Sequence, residues 1–427
     1  MSMGNMKKEI LILGNSGVAL SAIRTIRKID KKINIAVISK EGEPFYSPVL
    51  LPYYIQGKIP KCSLYPFGFE FYEKNTVEIL CGKKVQKVSG KSRKVLLENG
   101  SEFAYEKLII ATGASPFIPP IPGIKNRGIF GLRTVEDADL ILGHLGRRVV
   151  IVGAGAVGIG IAVALRKKGL EVAILDQIDI SQFLAGMVDL EIAQEIVKNL
   201  EENGIEVFLN QNALDMEFYG NPIQGIRGSG LNLKCDTAIL ATGVRPNLAF
   251  IDPHEISLGS KGGIVVDDRM MSSCPDVYAG GDCVEAVNFI TGVKENNPIW
   301  PNAVEQGKIA ALNLLGIPTV YRGFIKENVI NLFDKVLFVA GEMRGEKKCC
   351  DERQKLSRII SQNGVIRGCQ ILGAPEKYGM YLRMIQDGYE TDPLSPLFEK
   401  DFFWMSKWRG VKKRKNTVHQ SLKKSRA

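Results

Sequence analysis

Histidine is scarce in this chain of 427 residues, which has only His144, His254 and His419. So few imidazoles leave little material for a histidine-ligated metal or a Ser-His triad. Chemistry performed here is therefore expected to be carried by something the chain binds. No CxxC pair occurs among the eight cysteines, Cys62, Cys81, Cys235, Cys274, Cys283, Cys349, Cys350 and Cys369. Reduced thiols in a reducing compartment follow. Nor is there an unbroken apolar stretch of the roughly 20 residues that a membrane span needs. The longest apolar run, residues 149–165, is interrupted by Gly153, Gly155, Gly158 and Gly160. No leader peptide is expected, because Lys7-Lys8-Glu9 runs directly into apolar residues 10–13, and a cytoplasmic location follows by default.

With 45% hydrophobic residues the chain can bury several cores, and its length alone predicts about two to four domains. The net charge of +10 is unevenly spread, since residues 407–427 hold nine basic residues and no acid. Apart from this cationic tail the chain is close to neutral.

Apolar runs of strand length alternate with helical stretches, the pattern of an α/β protein with parallel sheets. Residues 10–13, 33–38, 108–111, 149–152, 172–175, 238–241 and 277–279 read as strands. Two of them end in a glycine-rich turn that opens a helix, and two others end in Ala-Thr-Gly. The Pro/Gly-rich segment 116–123 reads as a linker, since it can be neither helix nor central strand. After Pro318 the pattern changes to alternating strands (329–333, 336–340, 355–360, 365–371) and a helix over 378–387.

The stronger nucleotide signal is a strand, Gly153-x-Gly155-x-x-Gly158, a helix, and a second strand that ends in Asp176. The first two glycines permit a tight turn and close approach of backbone to a pyrophosphate, and the third lets helix and strand pack. Phosphate would sit at the positive end of the helix. Asp176 can accept hydrogen bonds from a ribose 2′-hydroxyl and would repel a 2′-phosphate, so NAD(H) is favoured over NADP(H). The first turn is weaker. Gly14-Asn15-Ser16-Gly17-Val18-Ala19 puts Ser16 and Ala19 at the second and third glycine positions; both are small, so phosphate approach and helix packing stay open. Its second strand ends at Ser39-Lys40, where Ser39 could bind a ribose or Glu41 could reach it. Further on, Asp282 follows a strand and a Gly-Gly turn, where a carboxylate can hold a polyol hydroxyl. A helix then opens at Pro298-Ile299-Trp300-Pro301, its N-terminus free to face a ring system.

Taken together, Gly14-NSGVA, Tyr46-SPVLLPYYIQGKI, Leu108-IIATGASPFIP, Leu132-RTVEDA, Gly153-AGAVG, Ala238-ILATGVRPN, Val277-YAGGD and Trp300-PNAVEQGK make the sequence similar to a known family. Over residues 8–400 it resembles the pyridine nucleotide-disulfide oxidoreductases, the two-dinucleotide-binding-domain flavoproteins. The likeness is greatest to the branch of NADH oxidases, coenzyme A-disulfide reductases and rubredoxin reductases. The resemblance implies an α/β fold with two Rossmann-like domains that bind FAD and NAD(P), plus a C-terminal α+β dimerisation domain. Residues 1–120 and 252–318 would form the FAD-binding domain, 121–251 the NAD-binding domain, 319–400 the homodimer interface, and 401–427 a basic tail. It implies Gly14, Ser16, Gly17, Ala19, Ser39, Ala111, Thr112, Gly113, Arg133, Asp282 and Trp300 on FAD. Gly153, Gly155, Gly158, Asp176 and Gly243 would lie on NAD.

Disulfide-reducing members carry a redox cysteine just before the stretch that here reads Leu51-Pro52-Tyr53-Tyr54, and Val49 takes its position. Valine can form neither a sulfenic acid nor a mixed disulfide. Gly17 stands where peroxidase relatives have a histidine, and Gly160 where a glutamate is common. The expectation is hydride transfer from NADH to FAD, then electron transfer to a rubredoxin- or ferredoxin-like carrier or to oxygen, with no cysteine in the path. A membrane-surface NADH:quinone dehydrogenase and a non-catalytic nucleotide-binding subunit of a redox complex are the rival classes. Cys349-Cys350 could shuttle electrons but reads more simply as two loop cysteines. Cys62 is set apart from Val49 by the loop 57–60. The aromatics Phe402-Phe403-Trp404 and the basic tail could touch a membrane surface, though a solubilising tail is the plainer reading. No sequence-specific nucleic-acid reader is present. No metal site is expected.

Overall fold

The computed structural model describes residues 6–211, 216–228, 230–349, 355–373 and 378–390. In chain order β1 (Met6–Leu13), α1 (Gly17–Ile29) and β2 (Ile35–Ile38) come first. The short helices α2 (Leu51–Gln56) and α3 (Glu70–Lys74) precede β3 (Val77–Leu80), β4 (Val85–Ser89), β5 (Lys94–Leu97), β6 (Glu102–Ile110) and β7 (Ala114–Pro116). Next are β8 (Ile129–Gly131), α4 (Val135–His144), β9 (Arg148–Val152), α5 (Ala156–Lys167), β10 (Glu171–Leu175), α6 (Leu190–Glu202) and β11 (Ile205–Phe208). A small meander, β12 (Glu217–Tyr219), β13 (Gly225–Gly228) and β14 (Leu231–Lys234), leads to β15 (Thr237–Leu240) and β16 (Val244–Pro246). Then come β17 (Ile264–Val265), β18 (Val277–Ala279), β19 (Val284–Val287), β20 (Lys294–Glu295) and α7 (Trp300–Leu314). The last described elements are β21 (Glu327–Asn331), β22 (Val336–Gly341), β23 (Glu346–Cys349), β24 (Leu356–Gln362), β25 (Val365–Leu372) and α8 (Tyr378–Asp387).

These elements fall into two compact units. The first comprises the chain up to Ile118, Phe130–His144 and Thr242–Phe324. Its sheet runs β3-β2-β1-β6-β5-β4. The β3-β2-β1-β6 stretch is parallel, and β18 joins β6 in parallel beside its last residues, Leu108 to Ile110. Ile10–Leu13 and Leu108–Ile110 are wholly buried. Near-continuous apolar runs are what a parallel strand covered on both faces requires. α1 and α7 pack against one another, and glycine makes the approach close: a Cβ on Gly307 would lie 2.4 Å from the Val18 carbonyl oxygen.

The second unit takes Pro119–Ile129, Leu145–Ala241 and the described residues from Ile325 on. Its parallel strands run β11-β10-β9-β15, with Val149, Val150 and Ile151 fully buried. The apolar run over 149–165 is thus β9, a turn and α5, and among the described residues no helix is long and apolar enough to cross a membrane. Its C-terminal part is an antiparallel sheet, β21-β22-β25-β24-β23, with α8 packed on β22 and β25. The 378–387 helix forms as the sequence indicates. β21 ends two residues early, because Leu332 to Lys335 form the turn closed by the Leu332 amide and the Lys335 carbonyl. Cys349 ends a strand instead of lying in a loop, while Cys350 and the basic tail fall outside the described residues.

On the α6 side of that sheet, Arg358 is buried and pairs with Asp189 at 2.9 Å and Glu191 at 2.5 Å. Asp189 also caps α6 by accepting from the Ile192 amide. Farther along α6, Glu195 meets Lys335 and Asn199 donates to Asp334, so residues four apart on one helix face are all tied to the sheet.

Candidate dinucleotide sites

In the first unit β1 delivers the chain to Gly14, where φ is +101° and a Cβ would lie 2.1 Å from the Ala111 carbonyl oxygen. No other residue fits there. The Asn15 side chain in this turn accepts from the Tyr72 hydroxyl at 2.7 Å, and that hydroxyl accepts from the Phe45 amide at 3.0 Å. Ser16 is the N-cap of α1 in extended backbone, which any residue adopts, and makes no side-chain capping bond. Serine therefore meets the turn's geometry where the fingerprint has glycine. The Trp300 ring covers Gly17, 3.2 Å from where a Cβ would stand. Ala19, in the first turn of α1, is wholly buried.

Ser39, at the end of β2, is buried with its backbone bonded to Leu80 and Lys83. Glu41, two residues on, is the carboxylate in this region. Burial lifts its pKa above the ordinary carboxylate range, opposed by the hydrogen bond from Tyr46 at 2.5 Å and the charge of Arg133. Opposite lies the Ala111-Thr112-Gly113 turn at the end of β6. The Arg133 guanidinium reaches Asp282 at 2.7 Å, the Ala114 carbonyl at 3.2 Å, and the edge of Gly113. Arg133 is set by the start of α4, where Thr134 and Asp137 bond each other's backbone amides and Asp137 also accepts from the Arg133 amide. Burial raises the pKa of Asp282, with Arg133 pulling the other way. Its neighbour Cys283 is fully buried, which pushes the thiol up to about 11 and keeps it protonated at neutral pH. The Gly281 amide donates to Gln306 of α7 at 2.7 Å, joining the Asp282 turn to that helix.

In the second unit Gly153 has φ +118°, and a Cβ on Gly158 would lie 1.9 Å from the Gly153 carbonyl oxygen. Around Gly155 and Gly160 nothing lies within 4 Å of a Cβ, so the protein itself asks for no glycine at either place. Asp176 stands at the end of β10 and turns toward this loop, accepting from the Ala154 amide at 2.6 Å and the Ile178 amide at 3.3 Å. Gly243 belongs to the first unit, where it precedes β16 with φ +92° and accepts from the Phe117 amide.

The N-termini of α1, α5 and α7 have no side-chain cap, whereas α4 and α6 are capped. The uncapped amides leave positive helix ends for an anion. Both turns thus fit a dinucleotide. Backbone is pressed where a Cβ cannot go, an open helix end follows, and a carboxylate stands after the second strand. Val49 sits 57% exposed in the 3₁₀ turn Pro48–Leu50, and Cys62 lies exposed in a separate turn, Lys61–Leu64. The sequence reading passed over Tyr72, Gln306 and Asn247 as contributors. Asn247 had a signal in the Arg-Pro-Asn that follows the second Ala-Thr-Gly, and Gln306 in the stretch Trp300-PNAVEQGK; Tyr72 had none.

Two such cradles define a protein built to hold two dinucleotides. The model of the pyridine nucleotide-disulphide oxidoreductase family matches residues 8–307, and the chain belongs to that family. It is 33% identical over 393 residues to the NADH oxidase of Methanocaldococcus jannaschii, covering 85% of this chain and 87% of that protein. It is 32% identical over 402 residues to the NADH-dependent phenylglyoxylate dehydrogenase subunit epsilon of Aromatoleum evansii, covering 93% of this chain and 89% of that one. Among solved structures the covalent putidaredoxin reductase–putidaredoxin complex shares the fold, with TM-score 0.85, 20% identity and coverage of 95% of this chain and 99% of that one. The chain is an FAD-dependent NAD(P)H oxidoreductase.

Proposed function

We propose that the protein oxidises NADH through FAD and passes the electrons directly to a small iron-containing carrier protein or to dioxygen, with no cysteine relay. The observation that carries this reading is Val49, exposed in the turn where disulfide-reducing relatives hold a thiol. When bound, the flavin accepts hydride from the nicotinamide and releases electrons to the acceptor. The chain's own work is binding and electrostatics. Gly14, Ser16 and Gly17 bring backbone against the FAD pyrophosphate, Ala19 lets α1 pack close, and Glu41 or Ser39 takes the ribose. Ala111, Thr112 and Gly113 line the flavin side, Asp282 and Arg133 hold the polyol and phosphate, and Trp300 flanks the ring. The uncapped start of α7 stabilises negative charge on the reduced cofactor. Gly153, Gly155 and Gly158 cradle the pyrophosphate of NADH, and Asp176 selects its unphosphorylated ribose.

In this reading the first unit binds FAD and takes in 130–144 and 242–251, which the expected 121–251 domain had included; the rest of 121–251 lies in the second unit and binds NAD, and the sheet within 319–400 forms a homodimer contact. Light scattering tests the last point, with a dimer expected. The acceptor is tested by supplying NADH with oxygen, rubredoxin, a ferredoxin, a menaquinone analogue or coenzyme A-disulfide. Turnover is expected with an iron carrier or with oxygen, while rapid turnover with the disulfide contradicts the reading.

A further inference from the structure

We infer that Asn247 is a positioning residue for the flavin-side turn Thr112-Gly113, holding it in register for FAD without touching the cofactor. This rests on the assignment of FAD to the first unit. The strand pair β7 and β16 runs antiparallel, and Asn247 follows it directly. Its four polar groups are all spent on residues 112–115. The backbone amide donates to the Gly113 carbonyl at 3.0 Å, and the backbone carbonyl accepts from the Thr112 hydroxyl at 2.9 Å. The side-chain nitrogen donates to the Thr112 carbonyl at 3.0 Å, and the side-chain oxygen accepts from the Ser115 hydroxyl at 2.7 Å.

One primary amide is needed because the segment presents both an acceptor and a donor to the same side chain. Aspartate would lose the donor and set a charged oxygen against the Thr112 carbonyl. The clamp matters because Gly113, at φ +63°, lies beside Arg133, and Arg133 holds both the Ala114 carbonyl and Asp282. Loosening residues 112–115 therefore moves the anchor of the arginine and the carboxylate together. The Thr112 hydroxyl is turned to Asn247, so its part in FAD binding is to fix the turn.

The test uses the full-length protein, stripped of FAD and titrated with FAD by flavin fluorescence, and measures the flavin midpoint potential of the reloaded samples. The variants are Asn247→Ala, Asn247→Asp, Thr112→Val and Thr112→Ser, each checked for folding by the unfolding transition of the FAD-free protein. Asn247→Ala loses two hydrogen bonds and is expected to weaken FAD binding about tenfold, with a shifted potential. Asn247→Asp weakens it at least as much, and Thr112→Val less. Thr112→Ser keeps the hydroxyl and restores both readouts. Folded Asn247 variants with wild-type affinity and potential overturn the inference, as does a Thr112→Ser variant that behaves like Thr112→Val. A wild-type protein that takes up no FAD overturns the cofactor reading itself, and so the two failures are distinguishable.

Discussion

Ser16 and Gly155 stand at the same position of two related turns, and the structure explains why one glycine could be dispensed with. Ser16 occupies extended backbone open to any residue, and Ala19 at the third position is small enough to be wholly buried. In the second turn Gly158 is required by the protein and Gly155 is not. The two substitutions should therefore separate. Gly158→Ala is expected to lower stability by about 3 kcal/mol or more, because its Cβ meets backbone oxygen. Gly155→Ala should cost below about 1 kcal/mol yet raise the KM for NADH, since only ligand approach needs the open space. Chemical unfolding and steady-state kinetics check both, and a KM left unchanged by Gly155→Ala would contradict the cradle. Asp176→Ser should narrow the preference for NADH over NADPH, measured as a ratio of kcat/KM values. The glycine fingerprint and Asp176 were legible because their function is backbone geometry at fixed spacing. Tyr72 was not, since it reaches Asn15 across 57 residues of chain through a hydroxyl that no local pattern marks.

At the scale of elements, period and length decided what the sequence revealed. The strands β9 and β10 and the last residues of β1 and β6 are continuous apolar runs, and β21, β22, β24, β25 and α8 show enough periodicity to be read, whereas the charged β23 reads as loop. The hairpin β4–β5 escaped notice because a register shift between Val85 and Lys87 breaks its two-residue period and lysines fill its exposed face. The meander β12–β14 has strands of three or four residues, too short to carry a pattern. Neither the capping of α6 by Asp189 nor its attachment to the sheet through Arg358 could be seen without the topology. That attachment gives a prediction for the element. Arg358→Ala leaves the Asp189 carboxylate without its cation and should destabilise the protein by about 3–5 kcal/mol. Arg147→Ala, on a pair that is largely exposed, should cost less than about 1 kcal/mol. Thermal unfolding of the two variants distinguishes them, and equal losses would refute the role given to Arg358.

For the molecule as a whole, the first unit carries three carboxylates raised by burial, Glu41, Asp282 and Glu305. The folded state holds their protons where the unfolded chain releases them, so they favour folding most below the ordinary carboxylate pKa. That contribution is lost as pH rises through their raised values. The FAD-free Glu41→Gln, Asp282→Asn variant should therefore gain stability relative to wild type on going from about pH 4 to about pH 8. A difference that stays flat in thermal unfolding would deny these groups their raised pKa values. The account's central claim is that electrons leave NADH for a flavin with no thiol beside it, and its most direct test is an anaerobic titration of the purified yellow protein with NADH. The flavin should bleach fully at about one NADH per FAD, because no second redox group waits to be filled. Bleaching that needs about two NADH per FAD would reveal a disulfide in the path and contradict the claim.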